Sequence, residues 1–456
     1  MKGKDMEMDR IKAYLQANRQ RYLDELSRFL AFPSVSAQPD HDPDTIACAH
    51  WLEQRLARLG LQATLWGEGS QPVVVGIAKG TDQRQVVIYG HYDVQPEDPL
   101  DQWQTNPFSP VLKDGYIWAR GASDDKGQLY AHVMAVEAIL STHGGLPCTV
   151  VFLLEGQEES GGDTLSRFLD TDKALRPEAV VVSDSSMYDQ KTPALTYGLR
   201  GIVAMEVTVK ALARDVHSGT YGGAVANPAM VLAWLLARCL GTDGRIRIPG
   251  IYDDVLPLSD WERRNIQALG YDEGTLIREL GAKGLFGEEG FSLLERIWAR
   301  PTFEINGLVS GYQGQGAKTI IPASATAKIS LRLVPNQDPH KVQRLVSKYL
   351  KRHCPETVNM EIDTAHASSP ILFNIDHPAM RKASEALKVG FGREPVFIRA
   401  GGSIPVVSHF VEAWGCPVLL MGFGQDSDGA HSPNEHFSIE ALFDGALASA
   451  ALLLSM

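Results

Sequence analysis

The stretch QVVIYGHYDV, residues 85–94, decides the reading of this chain. Val86 to Tyr89 form a short continuous apolar run, the pattern of a strand buried on both faces. His91 and Asp93 follow at once, two apart, so both project into one crevice. Four later segments repeat the scheme of an apolar run ending in acids or histidine. They are IWARGASDDKG (117–127, with Asp124 and Asp125), VVFLLEGQEES (150–160, with Glu158 and Glu159), VVVSDSS (180–186, with Asp184) and PVLLMGFGQDSDGAHSPNEH (417–436, with His431 and Glu435). In open α/β sheets, ligands bind beyond the carboxyl ends of the strands. Carboxylates and imidazoles gathered there are the donors that Zn²⁺ and similar ions prefer. The chain reads as a metal-dependent enzyme, a hydrolase.

Outward from this stretch, apolar runs alternate with helical patterns. Asp44 to Leu59 is an amphipathic helix stopped by Gly60, Lys126 to Thr142 a helix ending at Gly144, and Thr149–Leu154 and Ala179–Val182 buried strands. The expected fold class is α/β: a mixed, mostly parallel sheet sandwiched by helices. After Tyr197 the pattern changes. GIVAMEVTVKA and ATAKISLRLVP alternate apolar and polar residues, and Asn227-Pro228 and Asp338-Pro339 open two helices. Residues 241 to about 316 are less regular. A small α+β domain, 198–370, is therefore expected inside a larger one made of 1–197 and 371–456. Gly201 to Lys210 reads as an edge strand.

Composition narrows the partners. The 456 residues carry 43 Lys and Arg against 55 Asp and Glu, a formal charge of −12. That balance disfavours nucleic acid and anionic membranes, which reward clustered cations. No apolar run approaches the roughly 20 residues of a membrane span, and the charged N-terminus lacks a signal-peptide core. Five scattered cysteines without a CxxC pair fit a reducing, cytoplasmic setting.

The chemistry follows from the clusters. A neutral imidazole such as His91 is a good metal ligand, and a nearby carboxylate such as Asp93 can orient it. Glu158 and Glu159 repel each other unless a cation is near or one is protonated. A division of labour is expected, one holding metal and the other acting as general base toward water. Each motif alone has a bland reading: HxD as a cap or ion pair, Glu-Glu as a solvated helix start, Asp184 as an N-cap, His431 as a surface histidine. Together they would share one sheet edge, and the joint pattern favours metal.

HYDVQP, RGASDDKG, EGQEESGG, SDSS, RDVHSGTYGG, SLRLVPNQ, RAGGSIPV and GAHSPNE occur in this order. The set resembles the dinuclear zinc peptidase family of carnosinase-type dipeptidases, carboxypeptidase G, aminoacylase and succinyl-diaminopimelate desuccinylase. It is most similar to the carnosinase-type branch, by RDVHSGTYGG, GAKTIIPASA and GGSIPV. The resemblance implies a zinc-exopeptidase-like catalytic domain and an inserted lid and dimerisation domain. It implies two divalent ions, Zn²⁺ first with Mn²⁺ or Co²⁺ as alternatives: His91 and Asp184 on one, Glu159 and His431 on the other, Asp124 on both. Glu158 would be the general base toward a water between the ions, and Asp93 the partner of His91. A cis peptide bond would follow Asp124, and Asp125 would not be a ligand. His217 would reach the neighbouring subunit's site in a homodimer and stabilise the oxyanion. Arg332, Thr319, His366, Gly402 and Ser403 resemble substrate contacts, and Arg399 is read equally as structural or substrate-facing. The implied reaction is hydrolysis of dipeptides or short peptides. Where relatives often carry an acid for the substrate's amino group, this chain has Ala400. An N-acyl-amino-acid amidohydrolase or a carboxypeptidase of the same fold therefore stays open.

Overall fold

The computed structural model describes residues 2–402 and 404–456. Its contacts divide the chain into two compact units. The first comprises Met1–Tyr197, Phe373–Ile398 and His409–Met456, the second Gly198–Leu372 and Arg399–Ser408. The short return of 399–408 to the second unit has no counterpart in the sequence pattern.

The first unit is built on a nine-stranded sheet. Its four middle strands, Thr149–Glu155, Gln85–His91, Ala179–Val182 and Val418–Leu420, run parallel, and antiparallel strands flank them. The apolar runs are continuous because both faces are covered. Val86 and Ile88 join a core shared with the helices Lys126–His143 and Ile439–Ser455. Val87 and Tyr89, on the other face, are equally buried, Tyr89 edge-on to Phe410 of the helix Pro405–Trp414. Parallel direction puts the carboxyl ends of all four strands on one edge, and four of the five polar clusters follow those ends. The fifth, with Asp124, instead follows Tyr116–Trp118, a strand of a separate three-stranded antiparallel sheet, so the expectation of one shared sheet edge does not hold for it.

Helix boundaries obey local rules. Asp42–Arg58 has Pro43 in its first turn, acids at that end and Arg55 and Arg58 in its last, which suits the helix dipole. Lys126–His143 ends at Gly144, whose left-handed φ of 73° favours a residue without Cβ. Lys126 is itself fully buried. Its ammonium donates to the carbonyls of Phe29 (3.3 Å) and Phe32 (2.8 Å), where the helix Arg19–Leu30 ends, and so satisfies orphan acceptors there.

The second unit has a four-stranded antiparallel sheet in the order Thr302–Ser310, Ser324–Leu333, Gly201–Lys210, Asn359–Ser368. Val203, Met205, Val207 and Val209 point to one face and bury against the helices Pro228–Ala237 and Pro339–His353. Gly201–Lys210 is thus an inner strand, not an edge; its alternation reflects one helix-covered face rather than a free side. The edges are Thr302–Ser310, with Ile305, Leu308 and Val309 exposed, and Asn359–Ser368. Among the described residues, no helix is long and apolar enough to cross a membrane.

Candidate metal centre

His91 ends its strand fully buried, with Nε2 3.0 Å from Oδ1 of Asp124. The other oxygen of Asp124 lies 2.8 Å from Nε2 of His431, which is also 3.4 Å from Oε1 of Glu159. The two oxygens of one carboxylate therefore face two different imidazoles. Two donor groups result, His91 with Asp124 and Asp184, and Asp124 with Glu159 and His431; within each, the ligand atoms lie within 4.8 Å of one another. Bonds of about 2.0–2.2 Å to a shared ion require donors about this close. A nitrogen and carboxylate set suits Zn²⁺, Mn²⁺ or Co²⁺, so these residues fit divalent ions.

Supporting contacts hold the donors. Nδ1 of His91 is 3.1 Å from the main-chain oxygen of Asp93 and 3.5 Å from its carboxylate. That carboxylate is occupied elsewhere. It accepts from Ser36 Oγ (2.6 Å) and from the backbone N–H groups of Glu158 (3.3 Å) and Glu159 (3.0 Å). Asp93 thus pins the Glu-Glu turn beside His91. Gln95 donates to Oε2 of Glu159 at 2.6 Å. The Asp124–Asp125 peptide is cis, and His431 adopts φ of 60°. Asp125 belongs to neither donor group, and its Oδ2 accepts from the N–H of His91 at 3.3 Å.

Electrostatics separates the carboxylates. Burial, with the charges of Asp184, Glu159 and Asp93 added and His91 opposing, pushes Glu158 up to about 8. Burial and then Asp124 push Asp184 up to about 7. Asp124 goes the other way: burial opposes its charge, but hydrogen bonds to His431 and His91 hold it below the usual range. Bonds to Asp124 and Glu159 raise His431 to about 10. Crowded acids of this kind are the environment a bound cation relieves.

The remaining sequence-derived residues lie in the second unit. His217 is exposed, and its Nδ1 accepts from Gly219 N–H at 3.0 Å. Its partner across the strand pair is Ile320, and the adjoining Thr319 accepts from Ser218 N–H at 3.0 Å. Arg332 and His366 stand opposite Ile202 and Ala204, on the sheet face away from the helices. Arg399 is buried and bonded to Glu262, whose Oε2 also takes the N–H and hydroxyl of Ser259. The Gly402 carbonyl accepts from Arg200 N–H at 3.2 Å. Ser403 lies outside the described residues.

Sequence reading gave no role to several groups. Gln95 and Asp428 sit inside quoted segments but were given no role there, and Ser36 had no signal beyond residue type. Arg200 donates to the Gly401 carbonyl at 2.8 Å; burial, and next the charge of Arg332, lower it to about 10, so two guanidinium groups share one neighbourhood.

The sequence matches the model of peptidase family M20/M25/M40 over residues 87–455. It is similar to the Cys-Gly metallodipeptidase of Schizosaccharomyces pombe, 30% identical over 462 residues that cover 96% of each protein. Human Beta-Ala-His dipeptidase is also 30% identical, over 98% of this chain and 92% of that protein. The crystal structure of an M20 family metallo-carboxypeptidase from Sulfolobus solfataricus superposes with a TM-score of 0.85 at 32% identity, covering 95% of this chain and 98% of that one.

Proposed function

The chain belongs to peptidase family M20/M25/M40 and is a metal-dependent hydrolase, and from that premise we propose that it cleaves the peptide bond of dipeptides or short peptides with two divalent ions, Zn²⁺ foremost. The observation that carries the reading is Asp124, one carboxylate common to two donor groups. His91 and Asp184 would hold one ion, Glu159 and His431 the other, and Asp124 would serve both. Bound there, such ions polarise water and the scissile carbonyl.

Glu158 belongs to neither donor group, and burial raises its proton affinity. It takes the proton of the attacking water and returns it to the leaving amine. Asp93 places both Glu158 and Glu159 through their backbone N–H groups. His217, with Nδ1 accepting from Gly219, keeps its ring proton on Nε2. That N–H stabilises the oxyanion in a neighbouring subunit's site. A homodimer is supported by exposed apolar groups in the second unit: Met230 and Trp234 on the helix Pro228–Ala237, Ile305, Leu308 and Val309 on the edge strand. Arg332 grips the substrate's carboxylate, with Thr319, His366, Gly402 and Ser403 as further contacts. Five free cysteines suit a cytoplasmic enzyme.

A second reading, release of a C-terminal residue or hydrolysis of N-acyl amino acids, is favoured by one residue: Ala400 offers no acid to a substrate's amino group. The test is amino-acid release by metal-reconstituted enzyme from Ala-Leu, N-acetyl-Ala-Leu and N-acetyl-Leu, with chelator-treated enzyme as control. Metal-dependent cleavage of Ala-Leu alone supports the dipeptidase. Preference for the acylated pair transfers the assignment to the second reading.

A further inference from the structure

Glu435 is almost completely buried, and both its oxygens are spent on one loop. Oε2 accepts from Arg120 NH1 and Gly121 N–H, each at 2.9 Å. Oε1 accepts from the N–H groups of Ser123 (2.9 Å) and Asp124 (3.0 Å). The four lone-pair sites of a carboxylate are then all used. Asp428 adds a second tie, its Oδ2 accepting from Ser123 Oγ at 2.9 Å and from Gln425 N–H at 2.8 Å. Both acids belong to the segment that carries His431, and the loop they grip carries Asp124.

We propose that Glu435, assisted by Asp428, is the positioning residue that locks the Asp124 loop onto the His431 segment and so sets the ion affinity of both donor groups. The proposal rests on the reading of Asp124 and His431 as ligands. Three of the four hydrogen bonds go to backbone N–H groups within three residues of the Asp124 carboxylate, including its own. Because Asp124 is common to both groups, a shift of this loop is felt by two ions at once. Were Glu435 only the ion-pair partner of Arg120, its loss would lower stability but leave the folded molecule's ion affinity unchanged.

The substitution Glu435→Gln keeps the shape and turns one acceptor oxygen into a donor that faces N–H groups. Outer contacts of this kind are worth about 10–100-fold in metal affinity. The measurement is a Zn²⁺ titration of chelator-stripped protein against a chromogenic chelator, at a temperature where circular dichroism shows each variant fully folded. Wild type should take up two ions, and Asp124→Asn should lose tight binding. Glu435→Gln should bind both ions about 10–100-fold more weakly. Wild-type affinity in folded Glu435→Gln overturns the positioning role. Wild-type affinity in Asp124→Asn overturns instead the ligand reading beneath it. If Glu435→Gln does not fold, Ser123→Ala, which removes only the hydroxyl tie to Asp428, decides: a severalfold loss supports the clamp, and unchanged affinity overturns it.

Discussion

His132 lies in the helix Lys126–His143, fully buried, with Nδ1 2.8 Å from Ser449 Oγ and Nε2 2.8 Å from Ser183 Oγ. Burial pushes it down from 6.5 to about 3, so the folded protein keeps it neutral. The unfolded chain takes up a proton below about 6.5. Between those limits the unfolded state binds more protons, so stability rises with pH and is lost as pH falls. The contribution is complete above about 6.5. At about 1.36 kcal/mol per unit, lowering the pH to 5 removes about 2 kcal/mol. The variant His132→Gln loses well-placed hydrogen bonds at a cost of about 1–3 kcal/mol at every pH, but it cannot titrate. Urea unfolding of both proteins, chelator-treated so that metal affinity does not enter, should show wild type more stable at pH 7.5. That advantage should shrink by about 2 kcal/mol at pH 5. Other titrating groups are common to both chains and cancel in the difference. Parallel stability curves for the two proteins would refute the neutral, buried assignment of His132.

Three further outcomes are expected. Glu158→Gln should lower kcat by about 10²–10⁴-fold while atomic absorption still finds the wild-type metal content; loss of metal would make Glu158 a ligand instead. Arg332→Met should raise KM strongly for a free-carboxylate dipeptide, but little for its C-terminal amide, since a charge-assisted bond to carboxylate contributes about 1.5–3 kcal/mol; equal effects on the two substrates would exclude carboxylate recognition. Mixing inactive His217→Ala with inactive Glu158→Ala should restore roughly a quarter of wild-type activity after subunit exchange, because in mixed dimers one site has both groups intact. No recovery in chains shown to exchange would place His217 in its own subunit's site.

The candidate metal centre was legible because its residues follow strand ends in short, distinctive motifs. His91, Asp124, Glu159, Asp184 and His431 all fall into the two donor groups, and Glu158 stands outside them. The contacts that hold them were not legible. Ser36 reaches Asp93 across 57 positions, and Asp428 reaches Ser123 across 305; no local pattern marks either. In the irregular stretch, the strand Thr302–Ser310 escaped notice because Asn306 and Gly307 interrupt its alternation, and the register shifts there. The short helices Asp260–Ala268 and Leu293–Ala299 were signposted by capping boxes, Ser259 with Glu262 and Ser292 with Glu295, which only a search for S-x-x-E would have caught. Arg399 joins the second unit through a partner 137 positions away, a pairing no sequence window contains.

The carboxylate of Asp93 touches the backbone of both glutamates and stands beside His91. On the proposed roles, proton transfer and ion binding share one support. Selection for a new metal preference cannot rework the His91 strand end freely, because each change there also moves the base. On those roles, variation among descendants of such an enzyme should accumulate instead in the second unit, where the proposed substrate contacts Arg332 and His366, and Ala400, would change which substrates are accepted while the proposed ion ligands and base stay as they are.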